Sequence, residues 1–138
     1  MDEVHLIVFH VGPVQEFIMS ARRSRDLWFG SWMLSELSKA AAEEIVKQNG
    51  GDVEWSLIFP APRSLSELRS EEFNAANRIV ARTRKAPAEL GEAVRTQVLG
   101  RLREISDEAF SRVEEVADFD RSVAELQVDD LLEFFWAS

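Results

Sequence analysis

The chain has no cysteine and no tyrosine, and only two histidines among its 138 residues. Without cysteine there is no disulfide, no thiolate zinc site and no cysteine nucleophile, a composition suited to a reducing compartment. His5 and His10 are five apart on one apolar stretch, so on a strand they point to opposite faces. No His-Asp dipeptide accompanies them, and metal-dependent nuclease chemistry finds no ligand set here. Long apolar runs are missing as well: nothing approaches the roughly 20 residues of a membrane span. The start, Met-Asp-Glu followed by a short apolar run with two histidines, does not read as a secretory signal. A soluble, cytoplasmic protein away from membranes is the expectation. Positive charge is the minority, 16 Lys and Arg against 25 Asp and Glu for a net charge of −9. That argues against a whole-surface nucleic-acid binder, which needs a positive footprint. There is no P-loop and no G-x-G-x-x-G pattern. Ser31 and Ser35 lack a partner histidine at a recognisable spacing.

What is present is a core: 46% of residues are hydrophobic, in a length typical of one domain. Val4–Val11 (VHLIVFHV) reads as a buried strand ending at Gly12-Pro13, and Pro13 suits the first turn of a helix. Val14, Phe17, Ile18 and Ala21, then Leu34, Leu37, Ala41 and Ile45, carry an apolar face at helical spacing. The pattern falters at 24–30. Residues 13–49 are therefore expected as one long helix with a kink, or as two helices meeting near Gly30. VEWSLIFPAP (53–62) reads as a second strand and 63–77 as a polar connection with room for a short helical turn. NRIVART (77–83) alternates as a third strand. Ala86-Pro87 opens a second long helix with Leu90, Val94, Val98, Leu102, Ile105 and Phe110 on one side. An acidic turn at Asp118–Asp120 precedes a last apolar segment, LQVDDLLEFFWAS, read as the closing strand. The order β-α-β-β-α-β is α+β and ferredoxin-like: a four-stranded antiparallel sheet with two long helices on one face.

Three short patterns invite chemistry. Gly50-Gly51-Asp52 lies between a helix end and a strand, where a C-terminal cap and turn account for both glycines. Asp129 and Asp130, taken as neighbours at a loop-to-strand junction, point apart and suit a solvated turn. The stretch around Arg22, Arg23 and Arg25 is less generic, since it joins a basic cluster to Trp28 and Trp32. In one reading its arginines pair with Asp26 and Glu16 while the tryptophans fill core. In the other, the Gly12-Pro13 turn leaves N–H groups free at a helix start, which binds anions with help from nearby arginines. An aromatic beside arginine also stacks on a base.

GPVQEFIMSARRSRDLWFGSWMLSELSKAAA (12–42) resembles the start of the first palm-like domain in the large subunit of type III-B CRISPR effector complexes. The matching elements are Gly12, Pro13, Val14, Gln15, Phe17 and Ile18, then Ala21, Arg22, Arg25, Asp26, Leu27 and Trp28, then Gly30, Ser31, Leu34 and Ser35. LIFPAP, ANRIVA and VDDLLEFFWA look like later strands of the same domain. The resemblance implies a ferredoxin-like, cyclase-related palm facing a second palm that carries Gly-Gly-Asp-Asp. The pair holds ATP with Mg between them and makes cyclic oligoadenylates when target RNA is bound. Many members also carry a nuclease domain for single-stranded DNA. It further implies nucleotide contacts from Gly12, Gln15, Arg22, Arg25 and Ser31, and a role for Trp28 and Trp32 in anchoring the helix bend at a domain interface. The implied partners are the second palm and other effector subunits with guide and target RNA. Because the catalytic aspartates would lie elsewhere, residues 1–138 are expected to form one palm-like domain of a larger subunit, inactive alone. A face built for the second palm would let the isolated chain dimerise. The competing reading is a structural protein-binding module that never touches nucleotide.

Overall fold

In a computed structural model, residues 3–12, 24–114 and 120–138 are described. Strand β1 (His5–Gly12) alternates as its sequence requires: Ile7, Phe9 and Val11 are buried, whereas Leu6 and Val8 lie on the other face, exposed. Helix α1 (Ser24–Gln48) buries Met33, Leu34, Leu37, Ala41 and Ile45, one stripe at helical spacing. It runs through Gly30 as a single helix, so of the two expected alternatives the pair of helices meeting there is absent. The first part of the expected helix, including the Val14–Ala21 stripe, lies outside the described residues. At its end Gly51 N–H bonds the carbonyl of Val46 at 2.8 Å, and Gly50 and Gly51 take φ of 88° and 95°. Left-handed backbone of that kind is nearly strain-free only for glycine. Gly50-Gly51 is thus the helix stop its position implied.

The second strand is shorter than its sequence suggested. Asp52 accepts a bond from Trp55 N–H at 3.0 Å and caps a helical turn, α2 (Val53–Ser56), which removes the first four residues of the expected strand. Pro60 has no N–H for the ladder, so β2 is only Leu57–Phe59. Ser64 caps the short helix α3 (Leu65–Arg69), and β3 (Arg78–Thr83) follows with Ile79, Ala81 and Thr83 buried. Helix α4 (Pro87–Glu114) buries Leu90, Val94, Val98, Leu102 and Ile105. A second correction comes next. Residues 121–131 form helix α5 (Arg121–Leu131), so 126–131 are helical rather than the start of the closing strand. Asp120 caps it by accepting from Val123 N–H at 3.3 Å, and Arg121 pairs with Glu125 one turn on at 3.0 Å. Asp129 and Asp130 consequently sit near a helix C-terminus, not on a strand. Only Glu133–Ala137 forms the closing strand, β4.

The sheet order is β2-β3-β1-β4, every pair antiparallel. This is the ferredoxin-like α+β arrangement: α1 takes the chain from β1 past the place of β3 to β2, and α4 takes it from β3 past β1 towards β4. Helices α1 and α4 pack together over one face, closing a core of Phe9, Leu37, Ile45, Ile79, Val94 and Leu102 among others. Two polar ties fix the layers. Asn49 donates to the Arg82 carbonyl (2.8 Å) and accepts from Thr83 (3.0 Å), joining the end of α1 to β3. Glu36 receives Arg101 of α4 at 3.1 Å and Lys39 at 3.5 Å, and buried Lys39 also donates to the Ser70 carbonyl at 2.8 Å. Among the described residues no helix is long and apolar enough to cross a membrane.

Candidate functional site

Helices cover one face of the sheet; the described residues leave the other open. Period-two alternation puts Leu6, Val8 and His10 of β1, Arg78, Val80 and Arg82 of β3, and Glu133 and Phe135 of β4 on that face. Leu6 is 60% and Phe135 61% exposed, with Val8 and Phe59 at 42% and 50%, values far above those of the core side. A contiguous apolar face of this kind marks an interaction surface. Its charge differs from that of the whole chain, because two arginines lie on it.

Polar groups collect where β1 ends. Gly12 pairs with Glu133, and His10 pairs with Phe135 on one side and Arg78 on the other. The His10 and Phe135 rings are 6.2 Å apart, and His10 Nδ1 lies 3.5 Å from the Asn77 amide nitrogen. Asn77 is held in place because its carbonyl accepts from Val11 N–H at 2.9 Å. A Cβ at Gly12 would stand 3.3 Å from both His10 Nε2 and Glu133 Oε2. Glycine therefore keeps a small cradle open between an imidazole nitrogen and a carboxylate oxygen. The groups around it offer a hydrogen-bonding imidazole, an amide, a carboxylate, an exposed guanidinium and an exposed aromatic ring.

Of the residues the resemblance singled out, Gly12 is in this cluster. Gln15 and Arg22 lie outside the described residues, and for Arg25 only the helical backbone is described. Ser31 is exposed on α1, with no described bond to the Gly12 cluster. Trp28 and Trp32 are not core fillers: Trp28 is 68% exposed and Trp32 packs on Phe29 with ring centroids 5.8 Å apart. With Ile105, Ala109, Glu108 and Arg112 of α4 these three aromatics line a groove of about 350 Å³. Helix α1 continues past them without interruption.

His10, Asn77, Arg78, Glu133 and Phe135 were missed as a group by sequence reasoning. Alternation did put His10 on the face opposite Ile7, Phe9 and Val11, which was the available signal. Nothing local joins residues 10, 77 and 133; the strand register does.

The sheet order and this face describe a palm-type domain, and the comparison with known families agrees. Residues 6–117 match the family CRISPR-associated protein Cmr2, N-terminal. The chain belongs to that family. The Cmr2 match spans β1 to just beyond α4, including the whole opening motif at 12–42, and leaves only α5 and β4 outside. Cmr2 membership makes the chain part of the large subunit of a type III-B CRISPR effector, a multi-protein complex. No curated protein matches it.

Proposed function

We propose that this Cmr2 domain docks a second palm domain against its open sheet face and supplies one wall of an ATP pocket at the end of β1. The observation that carries the reading is the continuity of the two features. The exposed apolar residues Leu6, Val8 and Phe135, with half-buried Val80 between them, run directly into the His10–Gly12–Glu133 cluster. A partner seated on the apolar part would cover the polar end and enclose it, strengthening every electrostatic contact there.

The donor set suits a nucleotide. His10 Nε2 and the Asn77 amide offer hydrogen bonds to a base or sugar, and the exposed Phe135 ring offers a stacking surface. Glu133 fits a ribose hydroxyl or a magnesium ion and repels a phosphate. Phosphates therefore belong on the side of Arg78, where a cation compensates their charge, and the family resemblance adds contacts from Arg22 and Arg25. ATP with Mg, when bound, would supply an α-phosphate with pyrophosphate as its leaving group and a nucleophilic ribose hydroxyl. This chain's contribution is to hold and orient it, with Gly12 leaving the room.

The test uses the assembled complex with target RNA, measuring ATP binding and oligoadenylate yield. His10→Ala, Gly12→Val and the pair Arg22→Ala with Arg25→Ala should each lower yield while the complex still assembles. Val8→Lys should weaken pairing of the two palms. If Val8→Lys disrupts the subunit but the other variants leave ATP binding and yield unchanged, the domain is a structural module without nucleotide contact.

A further inference from the structure

The two edges of the sheet are protected very differently. At one edge β2 is three residues long and runs into Pro60 and Pro62, which cannot donate to a further strand. At the other, β4 presents five extended residues, Glu-Phe-Phe-Trp-Ala, with no proline and no lysine. Three aromatics in a row on an edge strand form a template for strand addition. Among the described residues its guard is light: Arg95 of α4 reaches the Phe134 carbonyl at 3.4 Å with its guanidinium 5.8 Å from the Phe134 ring centre, and Arg95 is itself exposed.

We infer that β4 is a self-pairing edge, on which a second copy of this chain adds antiparallel to give a continuous eight-stranded sheet. The sequence of the strand selects both the occupant and the register. An antiparallel pair related by a two-fold axis at Phe135 uses all five residues. It sets Phe135 against Phe135 of the second copy on the open face. Phe134 meets Trp136, and Trp136 meets Phe134, on the helix side. Glu133 meets Ala137, so the one charged residue of the strand never opposes itself. Shifting the axis to Glu133 would juxtapose two carboxylates, and any other shift shortens the ladder. Aromatic cross-strand pairs are the stabilising units of such an interface. This inference is independent of the nucleotide reading, and it differs from docking on the open face because the contact is made by backbone along an edge.

The test is sedimentation equilibrium of the 138-residue chain, with circular dichroism to confirm folding. Phe135 is exposed, so charged substitutions there leave the core intact. The wild type should show a concentration-dependent dimer. Phe135→Lys alone and Phe135→Glu alone should each raise the dimer Kd on the order of tenfold or more, since like charges would then meet at the axis. An equimolar mixture of the two variants should restore the dimer. Leu6→Lys, on the open face beyond the β1–β4 ladder, should leave it unchanged. A wild type that stays monomeric at the highest attainable concentration overturns the inference. So does a mixture that fails to re-associate, or a dimer lost equally to Leu6→Lys, which would mean packing through the open face.

Discussion

Two glycines of α4 should respond to the same substitution with opposite sign. Gly91 is buried beneath β4, and a Cβ built on it would stand 2.6 Å from Cε2 of Trp136. Gly100 is nine residues further along the same helix, and a Cβ there meets nothing within 4 Å. Replacing a mid-helix glycine by alanine gains about 1 kcal/mol of helix propensity at either site. At Gly100 nothing opposes that gain. At Gly91 the methyl must displace an indole wedged between β4 and α4, an overpacking cost of about 1–3 kcal/mol. The clash exceeds the gain, so Gly91→Ala should destabilise by about 1 kcal/mol while Gly100→Ala stabilises by about 1 kcal/mol.

Urea unfolding followed by far-ultraviolet circular dichroism reads both values directly, provided the slopes agree. A double-mutant cycle makes the cause specific. In a Trp136→Ala background the obstacle is gone, and Gly91→Ala should become stabilising, with a coupling of about 2 kcal/mol. If Gly91→Ala stabilises the wild type as much as Gly100→Ala does, β4 does not pack on α4 as described. If the cycle shows no coupling, the cost has another origin.

Asn49→Ala should lose about 1–3 kcal/mol, because it leaves Thr83 Oγ1, wholly buried, without its 3.0 Å acceptor; thermal unfolding checks it. Glu36→Ala should be similarly costly, about 1–3 kcal/mol, by leaving nearly buried Lys39 and half-buried Arg101 without their shared carboxylate. Hydrogen bonding from Arg69, reinforced by Lys47, holds the Glu43 carboxyl below the usual carboxylate range. A depressed folded-state value means stability is present above the ordinary glutamate range and lost as pH falls through the lowered one. Glu43→Gln should therefore be less stable than wild type near neutrality and converge with it in acid, as denaturant titrations across that range will show. Leu37→Ala, a deletion in the centre of the core, should cost about 2–5 kcal/mol in the same assay.

Local physics made much of this molecule legible in the sequence. The β-branched and aromatic run Val4–Val11 wrote a strand, though not that Leu6 and Val8 would stay exposed on one of its faces, and the 3.6-residue stripes of α1 and α4 wrote two helices. Gly50-Gly51 read as a helix stop because φ near 90° is a property of single residues. Where local signals competed, the capping side chains won: Asp52 drew Val53–Ser56 into a helical turn, and Asp120 opened a helix where apolar residues suggested a strand. Trp28 and Trp32 were ambiguous for another reason, since helical spacing fixes direction relative to the helix but not what lies opposite. The opening motif, specific enough to indicate the family, runs over 12–42, and its first part falls at 13–23, outside the described residues. Tertiary structure alone decided that His10, Asn77 and Glu133 meet at Gly12, since the contact spans 123 residues and depends on the register of β1 with β4. It also decided which edge stays open among the described residues. A strand's sequence sets its two faces, whereas its neighbours are chosen only when the helices cross the sheet and hydrogen bonds lock one order.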